Sequence, residues 1–297
     1  MLIRRIISGL VVAILWFLAM CYMPAFLIFI VLLVMSTLCQ REFYGMMKQC
    51  GFEVEEHIGI AAGLGWLVLT YVYPPAVLRA ESAGPDPAMM LLVAFVFVLF
   101  TRILFNKKTK NAVEKAGVTL LGFFYLPVML SFFIRLAQWG AVRCCEIPDC
   151  RTGIFLAAFV ALVVKLGDVG AFGVGVAFGK HRMCPGISPK KTWEGFCGGL
   201  AASLIVALVV TWMARRFEAV PGGPLEELSI FMVVILAVFL GLIGAVSDLF
   251  ESMFKRCAVV KDSAGLLPGG MGGILDMFDS LIFTPAVLYW FLLLATG

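Results

Sequence analysis

Apolar residues fall in long runs separated by short polar stretches. A helix needs about 17–25 such residues to cross a bilayer. The runs lie at about 6–22, 24–39, 58–73, 88–105, 117–136, 153–177, 196–213, 228–246 and 278–296. The pattern predicts an all-α protein, a polytopic transmembrane helix bundle of about nine spans. The second run is short enough to tilt or to pair with the first as a hairpin. The sixth is long and holds Lys165 and Asp168 within its apolar residues. "ESAGPDP" and "VPGGPLEE" read as turns from their proline and glycine content. No internal repeat is visible.

Composition agrees. Of 297 residues, 62% are hydrophobic and 14% charged, against about 25% charged in a soluble domain. The net charge of +4 makes no case for nucleic acid and suits a basic surface facing a membrane. The opening "MLIRRIISGLVVAILWFLAMCYMPA" has the basic start and apolar run of a signal peptide. It lacks the small-residue cleavage pattern, and Met20 precedes Cys21 where a lipoprotein signal carries a small residue. The stretch is therefore expected to stay as the first helix.

Charge sets an orientation. With a cytoplasmic N-terminus, the cytoplasmic loops hold Arg4, Arg5, Arg41, Lys48, Lys107, Lys108, Lys110, Lys115, Lys180, Arg182, Lys190, Lys191, Lys255, Arg256 and Lys261. The opposite loops hold Arg79, Arg143, Arg151, Arg215 and Arg216. That asymmetry follows the positive-inside rule, and nine spans put the C-terminus outside. "CCEIPDC" then falls outside, where Cys144, Cys145 and Cys150 are either disulfide-bonded or free thiols. The nine cysteines include no CxxC pair, and His57 and His181 are the two histidines. This argues against a structural zinc site.

Three polar clusters fall on the predicted cytoplasmic side. In "KLGDVGAFGVGVAFGK", Asp168 is a charge inside or at the edge of a span, a costly placement that marks function or a water-filled cavity. Gly173, Gly175 and Gly179 suggest a nucleotide loop, but no strand precedes them and no GK[ST] follows. Close helix packing through small residues explains them better. In "GISPKKTWEGFCGG", Ser188 and Pro189 read as an N-cap and first helical position. Lys190 and Lys191 would then sit where the helix dipole disfavours cations, a conflict that a bound anion would relieve. Ordinary positive-inside anchoring is the alternative, with Trp193 at the interface.

The third cluster is "SDLFESMFKRCAVVKDSAGLLPGGMGGILDMFDS". If residues 248–256 are helical, Asp248, Glu251, Ser252 and Lys255 share one face. Asp276 and Asp279 are three apart at the entrance to the last span, where one helical turn would bring two repelling carboxylates together. A divalent cation resolves that repulsion, and Asp262 could contribute from the loop. Mg²⁺ is bound by one or two carboxylates plus substrate phosphates. A solvated loop with salt bridges is the plainer alternative. Lysines for anionic oxygens beside carboxylates for Mg²⁺ point to phosphate chemistry at the membrane surface. The chain divides accordingly into N-terminal transmembrane helices, 1–136, and a C-terminal catalytic transmembrane region, 137–297.

The series "SPKKTWEG", "SDLFESMFKR" and "KDSAGLLPG…GGILD..DS" resembles the phosphatidate cytidylyltransferases (CDP-diacylglycerol synthases). The likeness covers Asp168 to Ser280, with a weaker trace in "EFY" at Glu42 to Tyr44. It implies transfer of CMP from CTP to phosphatidate, giving CDP-diacylglycerol and pyrophosphate for phospholipid synthesis. It also implies Mg²⁺, room for a second, monovalent cation, a homodimer, and a polar cavity facing the cytoplasm of a bacterial inner membrane. Carried over position by position, the resemblance gives Lys191, Lys255, Arg256, Lys261 and Asp262 catalytic roles. Ser188, Lys190, Thr192, Glu194 and Ser252 would bind substrate. Asp248, Asp276, Asp279 and Asp168 would hold metal.

The sequence departs from the family pattern in three places. "PGGMGG" stands where the family has PGHGG, Met277 stands for an arginine, and Ser247 for a glycine. The carboxylates and lysines are kept. A phosphatidate phosphate is already an anionic nucleophile and needs little base catalysis, so the missing histidine suits an Mg²⁺-based reaction. Another lipid phosphotransferase or kinase is the alternative enzyme. An ion-coupled transporter using Lys165 and Asp168 is the alternative class, but it should spread polar residues through several spans.

Overall fold

The computed structural model describes residues 25–73, 86–105, 111–139, 150–217, 223–259 and 273–296. The described residues are almost wholly helical. In order it forms α1 (Ala25–Gln49), α2 (Glu56–Val72), α3 (Pro87–Phe105), α4 (Ala112–Phe123), a π-helical turn (Phe124–Val128) and α5 (Met129–Ala137). There follow α6 (Cys150–Phe178), a hairpin of β1 (Arg182–Cys184) and β2 (Ser188–Thr192), and α7 (Trp193–Phe217). The last elements are α8 (Pro224–Glu227), α9 (Ile230–Cys257), α10 (Leu275–Phe278), a 3₁₀ turn (Asp279–Leu281) and α11 (Thr284–Thr296).

Among the described residues, seven helical stretches are long and apolar enough to cross a membrane, and α2 is a shorter apolar helix of 17 residues. The runs expected at 24–39 and 228–246 extend well beyond those bounds, to Gln49 and Cys257. The polar residues Gln40 to Lys48 and Asp248 to Arg256 are therefore continuations of helices, not loops. The run at 6–22 lies outside the described residues, as do Cys144, Cys145 and the side chain of Cys150.

Two compact units emerge. One takes residues 136–252 and 279–297 with the chain's start; the other takes 26–135 and 253–278. The second unit thus includes a stretch from the region 137–297 as well as the N-terminal helices.

In the second unit, Ala62 and Trp66 of α2, Phe95, Leu99 and Ile103 of α3, and Ala116 and Phe123 of α4 form the apolar core. Trp66 meets Phe123 edge-on at 5.8 Å, and its indole N–H donates to Ser131 Oγ at 3.2 Å. The opposite side of α3 leaves Val93, Phe97 and Leu104 exposed, a face suited to lipid and costly in water. Pro127 sits inside the π turn, where its missing N–H and ring bulk break the regular α ladder. Tyr44 is fully buried and occupies notches at Gly59 and Gly122, where a Cβ would overlap its ring or hydroxyl. Its hydroxyl donates to Thr119 O at 2.8 Å and accepts from Gln40 Nε2 at 3.1 Å.

In the first unit, α6 and α7 pack through small residues. Gly167 faces Ser203, Gly170 faces Ala202, and Gly199 faces Ala171. Ser203 Oγ donates to Val163 O at 3.3 Å. This is the close approach that small residues permit between membrane helices. Gly175 and Gly179 belong to it, bordering Gly195 and Thr192, whereas Gly173 has open space where a side chain would stand.

The start of α7 corrects one expectation. Ser188 and Pro189 are not an N-cap and a first helical residue; they lie in β2, antiparallel to β1, with Arg182 opposite Thr192 and Cys184 opposite Ser188. The cap is Thr192, whose Oγ1 accepts the Gly195 N–H at 3.2 Å. Proline has no N–H to donate and is tolerated in so short an edge pair. Lys190 and Lys191 therefore precede the helix on a strand, and the supposed conflict with the helix dipole does not arise.

Candidate active site

In the first unit a cluster of charged side chains forms around the middle of α6. Lys165 and Asp168 lie one turn apart there, 3.6 Å between Nζ and Oδ2. The 3₁₀ turn brings Asp279 and Ser280 to them. Lys165 Nζ donates to Ser280 Oγ at 2.8 Å and stands 3.4 Å from Asp279 Oδ1. The Ser280 hydroxyl donates in turn to Asp168 Oδ2 at 2.7 Å. Asp279 is fixed twice more: its Oδ1 accepts the Ser280 N–H at 2.6 Å, and its carbonyl accepts the Ser247 hydroxyl. Ser247, the departure from the family's glycine, thereby ties α9 to the 3₁₀ turn.

α9 supplies the rest. Asp248, fully buried Glu251 and Asp279 each offer a carboxylate oxygen within 4.8 Å of the others. This all-oxygen, anionic donor set fits a hard divalent cation such as Mg²⁺. Asp248 also bonds Lys191 Nζ, at 2.8 Å from Oδ2, and lies 3.5 Å from Ser252 Oγ. Lys191 is further held by the Ala245 carbonyl at 3.3 Å.

A cavity of about 540 Å³ opens beside these groups. Asp168 and Asp248 border it together with Arg182, Lys190, Lys191 and Thr192, so acids and cations face one space. The remaining wall is apolar and includes Phe172, Val176 and Phe196. Such a space accepts a molecule with anionic and apolar parts.

Glu194 takes a different place. It accepts the backbone N–H groups of Lys180 and His181 and pairs with His181 Nδ1 at 2.6 Å, while the Trp193 N–H donates to His181 O. It fastens the chain entering β1 to the first turn of α7 and so fixes the hairpin that carries Lys190 and Lys191. Trp193 itself is exposed.

Asp276 belongs to the second unit. There its two carboxylate oxygens accept Lys255 Nζ at 2.9 Å and the Gly273 N–H at 2.7 Å. Glu42, buried in α1, accepts the N–H groups of Ile274 and Leu275, one on each oxygen, at 3.0 and 2.9 Å. Arg256 is exposed on the last turn of α9. Lys261 and Asp262 lie outside the described residues, together with the "PGGMG" stretch. Asp276 and Asp279 are separated by a change from α- to 3₁₀-helix, not carried on one continuous entrance to the last span.

The comparisons agree with this chemistry. The sequence model of the cytidylyltransferase family matches residues 3–295. The chain belongs to that family. The phosphatidate cytidylyltransferase of Staphylococcus saprophyticus subsp. saprophyticus is 32% identical over 233 residues, covering 77% of each chain. That of Bacillus subtilis is 31% identical over 231 residues, covering 78% of each. In this chain's first unit, Lys165 and Lys191 meet the carboxylates of Asp168, Asp279 and Asp248. Lys165, Ser280 and Glu42 fall within the quoted stretches, yet the family pattern gave them no catalytic, substrate-binding or metal role. The signal for Lys165 was a cation three residues before Asp168 inside an apolar run.

Proposed function

We propose that this protein transfers CMP from CTP to phosphatidate, giving CDP-diacylglycerol and pyrophosphate, with Mg²⁺ as its metal. The observation that carries the reading is the Lys191–Asp248 pair standing between the carboxylate triad and the mixed cavity. In the reaction, a phosphatidate oxygen forms a bond to the α-phosphorus of CTP, and the bond from that phosphorus to the pyrophosphate oxygen breaks. The nucleophile is already anionic, so no proton need be removed.

Asp248, Glu251 and Asp279 would hold the metal. When bound, Mg²⁺ neutralises phosphate oxygens and stabilises the leaving pyrophosphate. Lys190, Lys191 and Arg182 meet phosphate oxygens from the cavity's basic side, with Thr192 lending a hydroxyl. Ser188 precedes them on the same strand, and Ser252 steadies Asp248. Glu194 acts by holding the hairpin. Asp168 orients Ser280 and Lys165. For Lys255, Arg256, Lys261, Asp262 and Asp276, the catalytic and metal roles rest on the family resemblance. Catalysis is then positioning and electrostatics, as phosphoryl-type transfer generally requires.

The distribution of basic residues favours a cytoplasmic N-terminus and active site, in the inner membrane of a bacterium. The family resemblance favours a homodimer. The decisive assay is purified protein in detergent with phosphatidate, labelled CTP and Mg²⁺. Labelled lipid with stoichiometric pyrophosphate is expected. Release of CDP, or no labelled lipid beside an active control enzyme, sinks the proposal.

A further inference from the structure

Among the described residues, the carboxylates of Asp168, Asp248, Glu251 and Asp279 stand together with the ammonium groups of Lys165 and Lys191. The Lys165 ammonium has three N–H donors, and three oxygens surround it: Ser280 Oγ at 2.8 Å, Asp279 Oδ1 at 3.4 Å and Asp168 Oδ2 at 3.6 Å. Asp279 is shared, since it faces the ammonium and is also a member of the triad. A carboxylate shared between two positive centres is how paired metal sites are commonly built.

We propose that Lys165 is a tethered cation filling the place of a second metal ion. The protein accordingly holds one divalent ion and needs no free monovalent cation. Lys165 is a positioning residue: it holds Asp279 aimed at the triad while Ser280 couples it to Asp168. A lysine inside an apolar helix is retained where it has such partners. The inference rests on the metal site proposed above, although its test does not depend on catalysis.

The test counts bound Mn²⁺ by electron paramagnetic resonance on full-length protein in detergent, without nucleotide. One buffer contains potassium and the other choline, a bulky quaternary cation with no N–H donors. Wild type is expected to bind one Mn²⁺ per chain in both. Lys165→Ala is expected to bind a second Mn²⁺ in choline and to lose it when potassium competes. Its CMP transfer should fall about 100-fold in choline and recover within about 10-fold with potassium or ammonium, the scale on which metal-supporting groups act. Lys165→Arg, which keeps the charge, should bind one Mn²⁺. Two Mn²⁺ per wild-type chain, or wild-type binding that requires potassium, overturns the proposal even if Lys165→Ala does not fold. So does a Lys165→Ala protein indistinguishable from wild type in both buffers. One Mn²⁺ per chain with no CMP transfer would instead refute the cytidylyltransferase activity and leave Lys165's role standing.

Discussion

Lys191 Nζ stands 2.8 Å from Asp248 Oδ2, joining a strand lysine to a helix carboxylate. The pair sets both partners: Asp248 is held beside Glu251 and Asp279, and Lys191 is held at the cavity wall. Lys191→Ala should lower kcat by about 10²–10³-fold, the usual cost of removing one aimed charge-stabilising donor. Asp248→Ala should lower kcat by about 10⁴-fold, still measurable with labelled CTP, while the protein stays monodisperse in detergent. The double variant should be no worse than Asp248→Ala alone, because the two side chains act as one unit. Additive losses in a labelled-CTP assay would separate their roles.

Tyr44 is locked by two glycines on different helices, Gly59 and Gly122. Alanine at either position must displace the ring or its hydroxyl, which also breaks the bonds to Thr119 and Gln40. Each substitution should destabilise the protein by about 1–3 kcal/mol, as overpacking generally does. Thermal unfolding followed by thiol-reactive dye reports it. Gly117, with open space around it, is the control, and Gly117→Ala should leave the midpoint near wild type.

These relations show what a sequence can and cannot carry. The spans were legible because a run of apolar residues is a local signal, and the helical face of Asp248, Glu251 and Ser252 follows from spacing alone. The strand Ser188–Thr192 was not legible. Ser-Pro is a strong local cue for a helix start, and the competing hairpin depends on pairing Ser188 with Cys184 and Thr192 with Arg182. Thr192, four residues later, is the cap that local reading missed. Asp276 and Asp279 look equivalent at a spacing of three, yet the switch to a 3₁₀ turn gives them separate partners. The contact of Lys165 with Ser280 spans 115 residues; no motif encodes it.

Glu42 offers one carboxylate oxygen to each of two backbone N–H groups, at Ile274 and Leu275. Glutamine has one acceptor oxygen, and its amide would face the second N–H donor to donor. Glu42→Gln should therefore cost about 1–3 kcal/mol, the penalty for a buried donor left unsatisfied. Limited proteolysis around residues 258–275 should become faster. Equal cleavage rates in variant and wild type would mean that the carboxylate does not anchor this stretch.

Met277 replaces the arginine of the family pattern and is exposed at 46%. A longer charged side chain can therefore reach out without entering the core. Met277→Arg should fold like wild type and keep or raise its transfer rate. A lower unfolding midpoint, read by the same dye assay, would show that the thioether packs against apolar surface.

Cys50 follows α1 and neighbours Cys257 at the end of α9. Burial, and then the hydrogen bond with Cys257, push its thiol from 9.0 up to about 12. The folded protein therefore keeps the Cys50 proton at pH values where the unfolded chain loses it. The sign follows: between about pH 9 and 12, folding binds a proton, so stability falls as pH rises through that window. Below pH 9 this contribution is fully present. Alkylation of Cys50 by iodoacetamide, followed peptide by peptide in mass spectrometry, should keep accelerating with pH to about 12, because the thiolate is the reactive form. Cys257→Ala removes the neighbouring thiol and should move that profile to lower pH. A profile that already levels near pH 9 in the wild type would show that Cys50 does not meet Cys257 as the structure has it.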